Sequence, residues 1–162
     1  MLVVAVLAVG YNLKDRWHKA RDTKLDAGFE ELTAATTGAN SSPDTLISIA
    51  STYEGHASIS SLARLDAADA YLDAIRRGVK PGAVLKPGKD GAAPTGELDN
   101  PDDILTDADR TTFLKQADDL YQQVYDKCSK ESGQQLLTIN ALYGLAAIAE
   151  CRQDFDKAKG YY

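Results

Sequence analysis

Asn140 to Tyr162 reads NALYGLAAIAECRQDFDKAKGYY, and the fold of the whole chain turns on how this stretch is read. Leu142, Leu145, Ala146 and Ala149 follow one another at spacings of three, one and three, and Ala158 and Tyr162 at a spacing of four. Residues three and four apart share one face of an α-helix. A polar break at Arg152 to Asp154 separates the two sets, so the stretch predicts two short helices joined by a tight turn.

The same reading extends upstream. Thr106 or Asp107 begins a helix with Asp107 and Asp109 in the first turn, where the helix dipole favours acids. Phe113, Ala117, Leu120, Tyr121, Val124 and Cys128 then form an apolar stripe, and Ala117 and Tyr121 repeat the spacing of Ala158 and Tyr162. Ala57 to Arg77 is the clearest helix, with Ile59, Leu62, Leu65, Leu72 and Ile75 on one stripe. Its alanines Ala63, Ala67, Ala68, Ala70 and Ala74 keep the remaining surface thin enough for neighbours on more than one side. Gly78 is placed to cap it and Pro81 prevents continuation. Val79 to Thr106 holds Pro81, Pro87, Pro94 and Pro101 with Gly82, Gly88, Gly91 and Gly96, and no apolar period. This Pro/Gly-rich insertion at 79–106 is expected to be a loop, mobile in part. It lies either inside one helical hairpin or between two.

Before it, Ser42 is the predicted N-cap of a helix with Pro43 at its first position and Asp44 beside the positive end of the dipole. That helix runs through Leu46, Ile47, Ile49 and Tyr53 to Gly55. From Asn12 to Ala35, Leu13, Trp17, Leu25, Phe29 and Leu32 predict an amphipathic helix. Met1 to Val9, MLVVAVLAV, is an apolar run far short of the roughly 20 residues that span a bilayer. It reads as the tail of a transmembrane helix that starts upstream, as a cut-short signal peptide, or as a buried first turn. Tyr11 and Trp17, where an interfacial aromatic belt would lie, favour the first. Lys14, Arg16, Lys19, Arg21 and Lys24 taken alone would hold this side in the cytoplasm, in conflict with that reading unless a more basic segment upstream overrules them. On the helix itself they read as a solvated face rather than a lipid-headgroup site. The expected organisation is residues 1–11 as an anchor-like segment and 12–162 as one helical domain. Tyr162 falls mid-helix with its apolar face uncovered, so a further capping helix is expected beyond it.

A hydrophobic content of 44% over 162 residues supports one core, and few aromatics with abundant alanine favour close-packed helices over a sheet. A formal charge of −6 and a pI near 4.9 argue against nucleic acid, which calls for a basic face. His18 and His56 stand on different elements with no nucleophile or ligand set around them. Asp99, Asp102, Asp103, Asp107 and Asp109 form the densest acidic run, but their spacing does not fit a calcium loop, and helix-start solvation explains them better. No catalytic, metal or cofactor residues are therefore assigned. Cys128 and Cys151 close successive antiparallel helices, so they should lie roughly 25 Å apart at about 1.5 Å per residue, too far for a bridge. Tyr121, Tyr125, Tyr143, Tyr161 and Tyr162 fall mostly at packing positions.

The pattern in Asn140 to Tyr162, and more weakly in Phe113 to Tyr125, resembles the tetratricopeptide repeat. Ala146 and Ala158 match its small positions where the paired helices touch. Leu142 replaces the usual Trp, Ala149 the usual Tyr, and Gln153 the turn glycine. The resemblance implies an all-α fold of tetratricopeptide-like hairpins, an α-solenoid, packed through Leu142, Leu145, Ala146, Ala149, Ala158, Tyr162, Ala117 and Tyr121. The layout, an apolar start followed by such hairpins, looks like that of bacterial bitopic proteins with a periplasmic tetratricopeptide-like domain, among them the ancillary subunit of the Sec translocon. It implies a non-enzymatic, membrane-tethered scaffold or chaperone-like adaptor of the inner membrane, holding a helix or extended segment of another protein in a groove. The rival reading is a soluble subunit that self-assembles through its repeat faces. On either reading Ala146→Leu should overpack a helix contact and cost about 1–3 kcal/mol, measured by thermal or urea unfolding. A variant that melts with its parent would refute the alignment.

Overall fold

The computed structural model of the chain describes residues 22–37, 42–86 and 96–162. Their regular structure is helical: α1 (22–37), α2 (Pro43–Thr52), α3 (Ala57–Arg77), α4 (Asp107–Cys128), α5 (Gln135–Cys151) and α6 (Phe155–Tyr161), with one 3-10 turn at Pro101–Asp103. The fold of the described residues is all-α. No helix among them is long and apolar enough to cross a membrane. The anchor-like segment 1–11, the basic positions Lys14 to Arg21, and Leu13, Trp17 and His18 lie outside the described residues.

α3 is the centre of the packing, resting on α2 and α4 and touching α5, while α5 packs on α4 and α6. The alanines of α3 make this sharing of neighbours workable. Ala63, Ala67, Ala68 and Ala74 are fully buried, so adjacent helices approach its backbone on several sides. Leu46, Ile59, Leu145 and Ile148 fill the space between elements, and burying each aliphatic side chain contributes about 1.5–3 kcal/mol. Ser60 and Ser61 are buried inside this apolar set, and both are satisfied. Ser60 Oγ donates to the Ala50 carbonyl at 2.9 Å, and Ser61 Oγ pairs with Cys128 Sγ at 3.4 Å.

Several helix ends follow the rules read from sequence, and others differ. Gly78 closes α3 at φ 75°, with the Val79 N–H reaching back to the Ala74 carbonyl. Thr106 caps α4 through a reciprocal pair with Asp109, each side chain accepting from the other residue's backbone N–H. Ser42 precedes Pro43 as expected, yet its hydroxyl makes no capping bond. The turn after α5 forms a Schellman pair, Gln153 N–H to Glu150 O and Asp154 N–H to Ala149 O. That pair places Gln153 at φ 61°, a left-handed conformation usually given to glycine.

The insertion departs from a plain loop. Its described residues pair as an antiparallel ribbon through bridges between Val79 and Ile104 and between Leu85 and Leu98. Lys80 N–H meets Asp103 O, Lys86 N–H meets Glu97 O and Asp99 N–H meets Val84 O, each at 2.8 Å. Backbone groups must find partners wherever water is displaced, and here two facing segments supply them to each other. Because α3 and α4 pack together, the ribbon rises from within one helical hairpin.

Gln153→Gly tests the left-handed turn. Relief of about 1–2 kcal/mol of side-chain strain exceeds the roughly 0.5–1 kcal/mol of added chain freedom. The variant should therefore gain about 0.5–1 kcal/mol, seen as a higher urea midpoint at unchanged slope. A lower midpoint would refute this account of the turn.

Candidate functional site

Two helix faces with the same spacing meet across a groove. α3 presents Leu62, Leu65, Asp66, Asp69 and Leu72, and α5 presents Asn140, Tyr143, Gly144 and Ala147, at intervals of three and four that keep each set on one side of its helix. Between them Tyr121 of α4 forms the floor, and the groove holds about 390 Å³. Its centre is polar: both ionisable groups of α3 on this face are carboxylates, and α5 carries no lysine or arginine anywhere along its length.

The floor depends on Gly144. A Cβ at this position would overlap the Tyr121 ring, so the ring lies directly against the α5 backbone. The Tyr121 hydroxyl donates to Asp69 Oδ1 on α3. Burial, then the hydrogen bond and charge of Asp69, push this phenol far up from its ordinary value of 10.0, so it remains a donor throughout the working pH range. Asp66 lies one helical turn away. Its carboxyl is raised from 3.8 to about 6, first by burial and then by the charge of Asp69. Across the groove Tyr143 is 57% exposed, its ring 6.0 Å from that of Tyr162.

The residues predicted to pack the repeats divide as follows. Ala117, Tyr121, Leu145, Ala146, Ala149 and Ala158 are buried, and Leu142 is half-buried along a second depression beside Cys128. Tyr162 differs: it lies beyond the end of α6, 68% exposed, with its hydroxyl donating to Glu150 Oε1 at 3.0 Å. Tyr161, three residues after Ala158 rather than four, packs against the core instead. Tyr125 also packs partly against the core, whereas Tyr143 belongs to the groove.

The residues set aside in the sequence have structural positions. His56 precedes α3 and pairs its ring with Tyr53 at 6.4 Å. Asn100 Oδ1 accepts from the Asp102 N–H at the start of the 3-10 turn, and Thr106 holds the Asp109 carboxyl below its ordinary range. No group of three or more His, Cys, Asp or Glu side chains among the described residues is arranged to hold a metal. Cys128 and Cys151 are both free; Cys128 is buried and its thiol donates to Gln134 Oε1 at 2.9 Å.

Asp66, Asp69, Asn140, Tyr143 and Gly144 were not singled out by the sequence reading. Two signals point to them: a glycine in the interior of an apolar helix, which usually marks close packing, and an Asp pair set three apart among leucines. Compared with family models, curated proteins and solved structures, the chain has no match in any of the three.

The raised Asp66 carboxyl has a stability consequence. Its folded value lies above its ordinary 3.8, so the folded chain holds the proton more tightly and stability falls as pH rises from about 4 to about 6. Asp66→Asn removes that penalty. With the half-exposure of the carboxyl discounted for solvent screening, the gain at pH 7.5 should be about 1 kcal/mol, and the slope across the window should flatten. Urea unfolding of both chains from pH 4.5 to 7.5 measures it; parallel curves would mean that Asp66 is not desolvated.

Proposed function

We propose that this chain is a protein-interaction scaffold built of tetratricopeptide-like hairpins, in which α3 with α4 and α5 with α6 stack so that α3 and α5 line a groove for a segment of another protein. The groove itself carries the reading. It combines apolar walls, an exposed tyrosine and a few fixed polar groups, the usual make-up of a surface that recognises an extended or helical segment. Nearest-neighbour packing of successive helices supports the solenoid character. The apolar run Met1 to Val9, followed by Tyr11 and Trp17, supports a membrane tether. A bacterial inner-membrane setting with the helical domain on the periplasmic side rests on the layout similar to that of the ancillary Sec-translocon subunit alone, and the basic residues Lys14 to Lys24 oppose that orientation.

One observation favours the second reading, self-assembly of copies. Leu136 at the start of α5 and Phe155 beyond its far end are 78% and 60% exposed, two separate apolar side chains that copies could cover.

Selection of peptides on the full chain from a displayed random library separates the two. Under the scaffold reading, selected peptides bind the monomer, and Tyr143→Ala, a change at an exposed position, weakens them at least ~10-fold, about 1.4 kcal/mol. If binding ignores Tyr143→Ala, while sedimentation shows oligomers that Leu136→Ser with Phe155→Ser dissociates, the assembly reading replaces it. Partition of the full chain with membranes after high-salt washing tests the tether.

A further inference from the structure

Resting on the groove as the binding surface, we infer that its occupant is a protein segment carrying a lysine or arginine, whose cation is received between Asp66 and Asp69 and whose flanking apolar residues lie along Leu62, Leu72 and Tyr143. The argument is one of charge complementarity in a shaped groove. Two carboxylates three residues apart on α3 line the groove, Asp66 half-buried and Asp69 exposed at its edge, and no basic residue lines it among the described residues. The basic side chains of α3 are engaged elsewhere: Arg64 with Ser60, Gln123 and Glu54, Arg76 and Arg77 with Asp73. On the α5 side, Arg152 is paired with Asp118. Asp69 is held by the Tyr121 hydroxyl, while Asp66 is partly desolvated beside a like charge, with no cation among the described residues to offset it.

Keeping an unneutralised carboxylate in such a place costs folding stability, and the cost is returned when an incoming cation pairs with it. Two carboxylates without a third acidic, His or Cys partner among the described residues are too few for a dedicated metal site. A side-chain cation suits the place better, because the leucines and the exposed tyrosine ring can cover the apolar residues that flank it. The groups facing Asp66 are Asp69 on its own helix, the Tyr121 hydroxyl from α4, and Asn140 and Tyr143 from α5. None of these supplies a positive charge. Binding should therefore weaken as pH falls and Asp66 takes up a proton.

The test uses the full chain and two fluorescein-labelled peptides of repeated Ala-Leu-Lys, one with free lysines and one with every lysine acetylated, read by anisotropy and by amide shifts of Asn140, Tyr143 and Gly144. The free-lysine peptide should shift those amides and bind at least ~10-fold more tightly than the acetylated one. Its affinity should drop ~5-fold or more from pH 7.5 to pH 5. Asp66→Asn, which relieves a folding penalty, and Asp69→Asn, which keeps an acceptor for Tyr121, should each weaken it ~5-fold. Asp99→Asn with Asp102→Asn in the insertion, which removes more charge at a distance, should change it less than ~2-fold. If both peptides bind alike at these amides, the groove stands as a binding surface and the cation inference is overturned. If the free-lysine peptide responds equally to the distant pair, the attraction is general charge and the inference also fails. If neither peptide moves these amides, the inference and the groove reading fall together.

Discussion

The Tyr121 side chain is held at both ends, and the arrangement of three helices depends on it. Its ring rests on the bare backbone of Gly144 in α5, and its hydroxyl is bound to Asp69 in α3. One residue of α4 thereby sets both the separation of α3 from α5 and the floor of the space between them. An aromatic ring spanning this gap contributes burial that a smaller side chain could not, while its polar tip needs a partner once water is excluded. Asp69 supplies that partner, and so a carboxylate is fixed at the bottom edge of the groove.

The alanine content acts with this constraint. Helices that pack through alanine approach closely and bury little volume per residue, so α3 can share its surface among several neighbours. The polar groups caught between them are each answered: Ser60 by Ala50, Ser61 by Cys128, Arg64 by Ser60 and Gln123. No buried side-chain nitrogen or oxygen among the described residues is left without a partner. Against this background the half-buried Asp66 carboxyl, with neither a counter-charge nor a donor among the described residues, stands apart. Polar groups held at an energetic disadvantage are commonly those that a ligand completes.

The insertion illustrates how local composition and tertiary pairing can diverge. Its described residues form no α-helix, as its prolines and glycines lead one to expect, only a 3-10 turn at Pro101–Asp103, and Gly78 ends α3 where a left-handed residue is needed. What it does instead is set by the packing of α3 on α4, which brings the two arms of the insertion side by side so that their backbone groups bond across the ribbon.

The sequence by itself determined the helical class, the stripes that face inward on α3 and α4, the capping glycine at 78 and the turn between α5 and α6, because each follows from spacing and backbone preference within a few residues. It also placed Tyr121 and Ala117 correctly as buried. It misassigned Tyr162, since a four-residue spacing from Ala158 and a three-residue spacing to Tyr161 are equally helical and only the contact with the core chooses between them. The groove was hidden for the same reason. Asp66, Asp69, Asn140 and Tyr143 have unremarkable neighbours in the chain, and they form a site only because α3 and α5, far apart in sequence, are held face to face over one tyrosine. Proximity between distant segments, and the desolvation that comes with it, is a property of the packed fold.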